Sequence, residues 1–276
     1  MLNHDRGEVV IMIRRIPQLA ILLCLFTAPF ASAGPTDAET RGEAIAADVY
    51  ARERGFESYR MDMEMILRDR QGQESVRRMQ GTVLEVSGDG DKHLIVFQAP
   101  ADIKHTAFLT FSHADKPDDQ WLYLPSLKRT RRIASDSKSG SFLGSEFSFE
   151  DLTSQLPRKF SHTYIAEETV ADRTTFKLER VPRYEGSGYT RQLLWIDKER
   201  LVTLKTEFYD RRGALQKTLE TGGYERYEGG LLKPAWMTMQ NHQTGKSTRI
   251  NMSGYKFRDA GISRQDFLPQ RLEYVR

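Results

Sequence analysis

The sequence predicts a mainly β protein of α+β character: a curved antiparallel sheet of about eleven strands behind one N-terminal helix, with a short helical crossing. Three observations carry this. Apolar and polar residues alternate with period two in successive segments between residues 59 and 257. Turn residues separate those segments, at spacings mostly too short for crossover helices, which implies an antiparallel meander. A single stretch of helical period precedes them all.

In chain order, residues 13–33 come first. Arg14 and Arg15 precede an apolar run from Leu19 to Phe30, and Ala31-Ser32-Ala33 follows in the small-x-small pattern of signal-peptidase sites. The expectation is an export signal over 1–33 cut after Ala33, with Met12 as an alternative start to Met1, and one domain over 34–276. The apolar core, of about 12 residues, is shorter than the roughly 20 that a membrane span needs. Thr36-Asp37-Ala38-Glu39 then has the Thr-x-x-Glu form of a capping box, and Ala44, Ile45, Ala47 and Tyr50 carry a helix of about 15 residues toward Gly55.

After Gly55 the period becomes two. Tyr59, Met61, Met63, Met65 and Leu67 alternate with Arg60, Asp62, Glu64 and Arg68. Similar segments recur at 77–86, 92–98, 105–111, 119–124, 127–133, 161–168, 173–182, 189–197, 200–210, 214–224, 234–243 and 246–257. Gly88-Asp89-Gly90, Pro117-Asp118-Asp119, Gly222-Gly223 and Thr244-Gly245 are among the turns between them. Residues 134–160 break the rhythm and read as a loop with a helical turn that crosses the sheet. Gly261 to Pro269 reads as a short capping segment or an edge strand. A sheet this large with one long helix either closes on itself or stays open with the helix plugging its mouth.

Composition narrows the function. Cleavage after Ala33 lowers the formal charge from +3 to +2, which is no polyanion-binding balance, and 276 less 33 leaves 243 residues, enough for one large β domain. The sole cysteine, Cys24, sits in the signal core, so a mature chain has no thiol for disulfides, thiolate metal sites or nucleophilic catalysis.

The most distinctive stretch is Trp121-Leu122-Tyr123-Leu124-Pro125, then Arg129-Thr130-Arg131-Arg132-Ile133, then Ser141-Phe142-Leu143-Gly144-Ser145-Glu146-Phe147-Ser148-Phe149-Glu150-Asp151-Leu152. With the upstream Phe97-Gln98-Ala99-Pro100-Ala101-Asp102, this composite resembles the LolA-like family of outer-membrane lipoprotein-sorting proteins. The resemblance covers essentially all of residues 34–276. It implies a LolA/LolB-like incomplete antiparallel β-barrel whose concave face, lidded by helices, receives lipid or lipoprotein acyl chains in the periplasm. It also implies an inner-membrane exporter of RND type and an outer-membrane acceptor as partners. The arginine that holds the lid shut in LolA carriers has no match here, so the resemblance carries over the cavity and not the lock.

Candidate site residues follow. Tyr59, Met61, Met63, Met65, Leu67, Trp121, Tyr123, Met237 and Met239 are candidates to line the cavity, because methionine adapts to irregular apolar ligands; ordinary core is the competing reading. In Trp121-Leu122-Tyr123-Leu124 both strand faces are apolar, so this strand must be covered on both sides. Arg129, Arg131 and Arg132, with Glu146, Glu150 and Asp151, read either as ion pairs pinning the 134–160 crossing to the sheet or as arginines facing a lipid phosphate.

No enzyme motif stands out. His93, His105, His113, His162 and His242 form no His-Glu-x-x-His pattern; His113 with Asp115, Asp118 and Asp119 reads as a polar turn. There is no Gly-x-Ser-x-Gly elbow and no phosphate loop. The expectation is therefore a carrier that is not an enzyme, without cofactor, metal or nucleic-acid partner. An accessory subunit of an RND-type exporter without its own cargo is the competing function. An outer-membrane scaffold with a filled barrel is a third.

Overall fold

The computed structural model describes Met1, Leu2 and residues 34–275. The signal segment, Cys24 and the cleavage site after Ala33 lie outside the described residues. Among those described, no helix is long and apolar enough to cross a membrane.

One helix, α1 (Asp37–Arg52), opens the fold. Its start is the capping box read from the sequence: Thr36 Oγ1 accepts from the Glu39 amide at 3.2 Å, and a Glu39 carboxylate oxygen accepts from the Thr36 amide at 2.7 Å. The six strands that follow are β1 (Ser58–Arg68), β2 (Glu74–Leu84), β3 (Lys92–Ala99), β4 (Ala107–Phe111), β5 (Asp119–Leu124) and β6 (Arg129–Arg132). After a long crossing come β7 (Phe160–Val170), β8 (Arg173–Pro182), β9 (Tyr189–Asp197), β10 (Thr203–Asp210) and β11 (Leu215–Gly222). The small hairpin β12 (Glu225–Arg226) and β13 (Leu232–Lys233) precedes β14 (Trp236–Asn241) and β15 (Ser247–Phe257).

Thirteen of these strands form one antiparallel sheet, two more than expected, in the order β6-β5-β4-β3-β2-β1-β15-β14-β11-β10-β9-β8-β7. Two meanders are joined along a seam where the first strand pairs with the last, with Met63 opposite Met252 and Met65 opposite Ile250. The sheet does not close, because β6 and β7 are both edges. Residues 133–159 run from one edge to the other, as the break in period predicts, and turn through three short 3₁₀ segments at 135–137, 150–152 and 157–159.

Each face of the sheet buries its own cluster. On the inner face Met63, Met65, Met79, Phe97, Phe108, Leu122, Phe208, Met239, Ile250 and Met252 pack with Phe142 and Phe147 of the crossing. On the outer face of β3–β5, Leu94, Val96, Ala107, Leu109 and Tyr123 pack under Phe267 and Leu272. The C-terminal segment is thus a cap and not an edge strand: its 3₁₀ turns at Arg264–Phe267 and Pro269–Tyr274 cover that outer face. β5 is covered on both sides, as its unbroken apolar run requires. Helix α1 packs against β7 at van der Waals limits, since a Cβ on Gly42 would stand 2.6 Å from the His162 carbonyl oxygen. Its Ile45 joins Leu178, Leu194 and Ile196.

Candidate functional site

Between the inner face, the crossing, α1 and the hairpin lies a cavity of about 450 Å³. Its apolar wall comes from the seam and its neighbours: Met61, Met63, Met65, Met79, Met237 and Met252, with Ile250, Leu178, Leu194 and Ile196. Alternation explains this wall. Every second residue of β1, β14 and β15 points the same way, and at the seam those residues are methionines and isoleucine.

The crossing roofs the cavity and is tied to the sheet by polar contacts along its length. Arg77 Nη1 donates to the Leu143 carbonyl at 2.7 Å. The Glu146 amide donates to Thr248 Oγ1 at 3.0 Å, and Asn241 Nδ2 donates to the Glu146 carboxylate at 2.6 Å. Gln120 Nε2 donates to the Phe149 carbonyl at 2.8 Å, and Ser154 Oγ stands 3.2 Å from His93 Nε2. Glu150 is buried and accepts from the Gly188 amide at 2.8 Å, Ser187 Oγ at 2.9 Å and Tyr184 Oη at 3.2 Å. Burial, then the neighbouring Asp151 charge, raises its carboxyl above the usual range. Asp151 accepts from the Ser148 amide at 2.7 Å and from Tyr189 Oη at 3.0 Å, and faces Lys217 at 4.0 Å. The crossing supplies through side chains what strand pairing between β6 and β7 does not.

Five of the nine cavity candidates line this space: Tyr59, Met61, Met63, Met65 and Met237. Met239 is fully buried in the inner cluster and Leu67 packs against it, neither lining the cavity. Trp121 and Tyr123 are placed differently from the expectation: they belong to the outer cluster under Phe267 and Leu272. Both parities of that strand are apolar, so alternation could not tell which pair turns inward; Leu122 and Leu124 do.

The arginines and the acids do not meet. Arg132 pairs with Asp119, beside which His113 sits between Asp89 at 2.8 Å and Asp119 at 3.1 Å. Arg129 and Arg131 stand exposed on edge strand β6. Glu146, Glu150 and Asp151 do pin the crossing, but with amides, hydroxyls and a lysine as partners. The expected arginine-to-acid pairing is absent because β6 ends on the rim while the acids fold across the interior.

The wall also holds polar groups absent from the candidate set. Arg180, His162, His93, Gln155 and Lys233 all border the cavity, beside the candidate Asp151. His162 is 3% exposed and its Nδ1 lies 3.0 Å from Glu43 of α1; burial lowers its pKa. Arg180 is 8% exposed, and burial pushes its guanidinium down to about 10. One signal for it was present in the sequence: Phe176, Leu178 and Arg180 share one parity of β8, so a charge stands where apolar residues face inward.

Comparison with known proteins gives relatives over nearly the whole described chain. A family model described as "Uncharacterized protein" matches residues 89–274. An outer-membrane lipoprotein-sorting protein domain from Vibrio parahaemolyticus is 45% identical, with a TM-score of 0.83 over 85% of this chain and 99% of its own. A DUF1329 family protein from Desulfovibrio piger is 27% identical, with a TM-score of 0.81 over 86% and 100%. A LolA superfamily protein from Nitrosomonas europaea shares the fold at 19% identity, with a TM-score of 0.64 over 82% and 97%. No curated protein matches the chain.

Proposed function

This chain belongs to the LolA-like family of outer-membrane lipoprotein-sorting proteins, and from that premise we propose that it is a periplasmic carrier holding lipid or lipoprotein acyl chains in its half-barrel. The observation that carries this reading is the methionine-lined cavity beneath a crossing that is tethered by side chains and not by a strand ladder. Methionine walls adapt to cargo of varied shape, and side-chain tethers can part without breaking the sheet.

Energetics define its partners. Sheltering a 16-carbon chain gains on the order of 12 kcal/mol at about 0.8 kcal/mol per methylene. Release into water is then too slow to be useful, so a donor and an acceptor must hand the chain over. We assign the donor role to an RND-type exporter complex in the inner membrane and the acceptor role to an outer-membrane component, with the carrier itself doing no chemistry.

Gentle purification from cell envelopes followed by lipid extraction and mass spectrometry tests the carrier role. Co-purifying lipid in stoichiometric amount is the expected result. Protein that is consistently lipid-free and takes up no fluorescent fatty acid would rule the role out. Crosslinking that captures an exporter but never lipid would instead assign it the accessory role.

A further inference from the structure

One group in the cavity wall is not explained by a container for apolar chains. Arg180 is more than nine-tenths buried, on β8, facing inward beside Leu178. Its hydrogen bonds go to neutral amides: Nε donates to Gln192 Oε1 at 3.0 Å, and Nη2 donates to the same oxygen and to Gln155 Oε1 at 3.2 Å. The guanidinium lies over the Phe160 ring, 4.3 Å from its centroid. These contacts occupy Nε and Nη2 and leave the two N–H groups of Nη1 for another acceptor.

No ion pair reaches Arg180 among the described residues. The other buried base, Lys217, has Asp151 at 4.0 Å, and the largely buried Lys159 has Asp118 at 2.5 Å. The charged and titratable groups facing Arg180 do not neutralise it. Asp151 is engaged by Ser148, Tyr189 and Lys217, and Tyr184 donates to Glu150. His162 is turned to Glu43. The downward pKa shift has burial as its first cause, as expected for a cation whose lost hydration no adjacent anion replaces. A buried charge without a neighbouring anion is costly, and perturbed charges of this kind concentrate at ligand-binding and functional sites.

The cavity is therefore two-sided: a wall of methionine, leucine and isoleucine continues into an end lined by the Arg180 guanidinium with His162, Gln155 and Thr206. At about 450 Å³ the cavity lies within the roughly 300–1,000 Å³ of pockets that enclose one small ligand. We propose that Arg180 receives the oxyanion headgroup, carboxylate or phosphate, of a single-chain amphiphile whose tail lies against the methionine wall. This inference rests on the carrier reading and specifies which end of the cargo enters polar surroundings. A guanidinium suits it because Nη1 still offers two N–H donors after Nε and Nη2 are engaged, and the group stays charged when buried.

The test is displacement of the fluorescent apolar probe aminoanthracene from delipidated protein spanning residues 34–276. The competitors are hexadecanoate, hexadecyl phosphate and hexadecanol, with acetate and inorganic phosphate as chainless anions. Wild type is expected to bind the two anionic amphiphiles about tenfold to a hundredfold more tightly than the alcohol, the range for a hydrogen bond to a charged group. Arg180→Met is expected to bind all three alike, and Arg180→Lys to retain part of the preference. Equal binding of acid and alcohol by wild type overturns the headgroup site while leaving the carrier role standing, and it needs no variant to fold. Preference retained by Arg180→Met overturns it as well. Acetate or inorganic phosphate competing with hexadecanoate at comparable concentration assigns the site to a free small anion and overturns the amphiphile. Failure of every 16-carbon ligand to displace the probe removes the carrier role and this inference together.

Discussion

At the scale of single residues, the inner face separates side chains that pack from side chains that line. Phe142 and Met239 are fully buried in the inner cluster, so Phe142→Ala is expected to cost about 3–5 kcal/mol and Met239→Ala about 2–5 kcal/mol in urea unfolding. Met237 borders open space and already lacks neighbours on that side, so Met237→Ala is expected to cost clearly less than Met239→Ala. Equal losses would mean that the cavity is filled by packing in solution. Buried His162 gives a pH signature. Its pKa is lowered in the folded state, chiefly by burial, so the folded protein binds fewer protons there than the unfolded chain. Its contribution to stability is therefore present above the ordinary histidine value of 6.5 and is lost as pH falls through the lower folded value. Thermal unfolding from pH 7 downward should show a loss that His162→Gln reduces; the same acid limb in both proteins would exclude His162 as its source. The methionine wall was legible from the period-two pattern, since parity alone groups Met61, Met63 and Met65. Arg180 was legible only as a charge on the wrong parity, and its significance depends on what lies across the cavity from it.

Among the elements, α1 and the crossing complete what the sheet leaves open. The helix is set by local chemistry, so Thr36→Ala is expected to lower stability by about 1 kcal/mol, the usual cost of losing an N-cap. Gly42 is required by contact instead. The Cβ of Gly42→Ala would meet the His162 carbonyl oxygen and carbon at 2.6 and 2.7 Å, so the helix must lift from β7. That variant should lose more than Thr36→Ala despite alanine's better helix propensity; a gain in stability would show that α1 shifts freely. The capping box was readable because it spans four residues. The reach of the crossing was not, because its partners, such as Arg77 and Thr248, stand 66 and 102 residues away from Leu143 and Glu146. The same distance in sequence explains why Arg129, Arg131 and Arg132 and the nearby acids look paired in the sequence and are separated in the fold.

For the molecule as a whole, the sheet is unclosed and roofed by one segment, and the proposed carrier role predicts that this segment is the gate. Glu146 and Thr248 are within hydrogen-bond reach through backbone and side chain, compatible with the roughly 4.4–6.8 Å Cα spacing of a disulfide. Oxidised Glu146→Cys/Thr248→Cys protein is expected to exchange aminoanthracene more slowly than the reduced form, and equal exchange rates would place the entrance elsewhere. The antiparallel meander, the single helix with its cap, the crossing at 134–160 and the two-sided burial of β5 were all determined by the sequence itself, because period, turn chemistry and capping act over a few residues. Tertiary structure alone decided that β1 pairs with β15, that β6 and β7 stay apart, that Leu122 and not Trp121 faces inward, and that the interior is filled by Phe142 and Phe147 on one side yet open beside Arg180. Alternation assigns residues to two faces without saying which face is concave; only the curvature of thirteen strands and the path of the crossing over them make that choice.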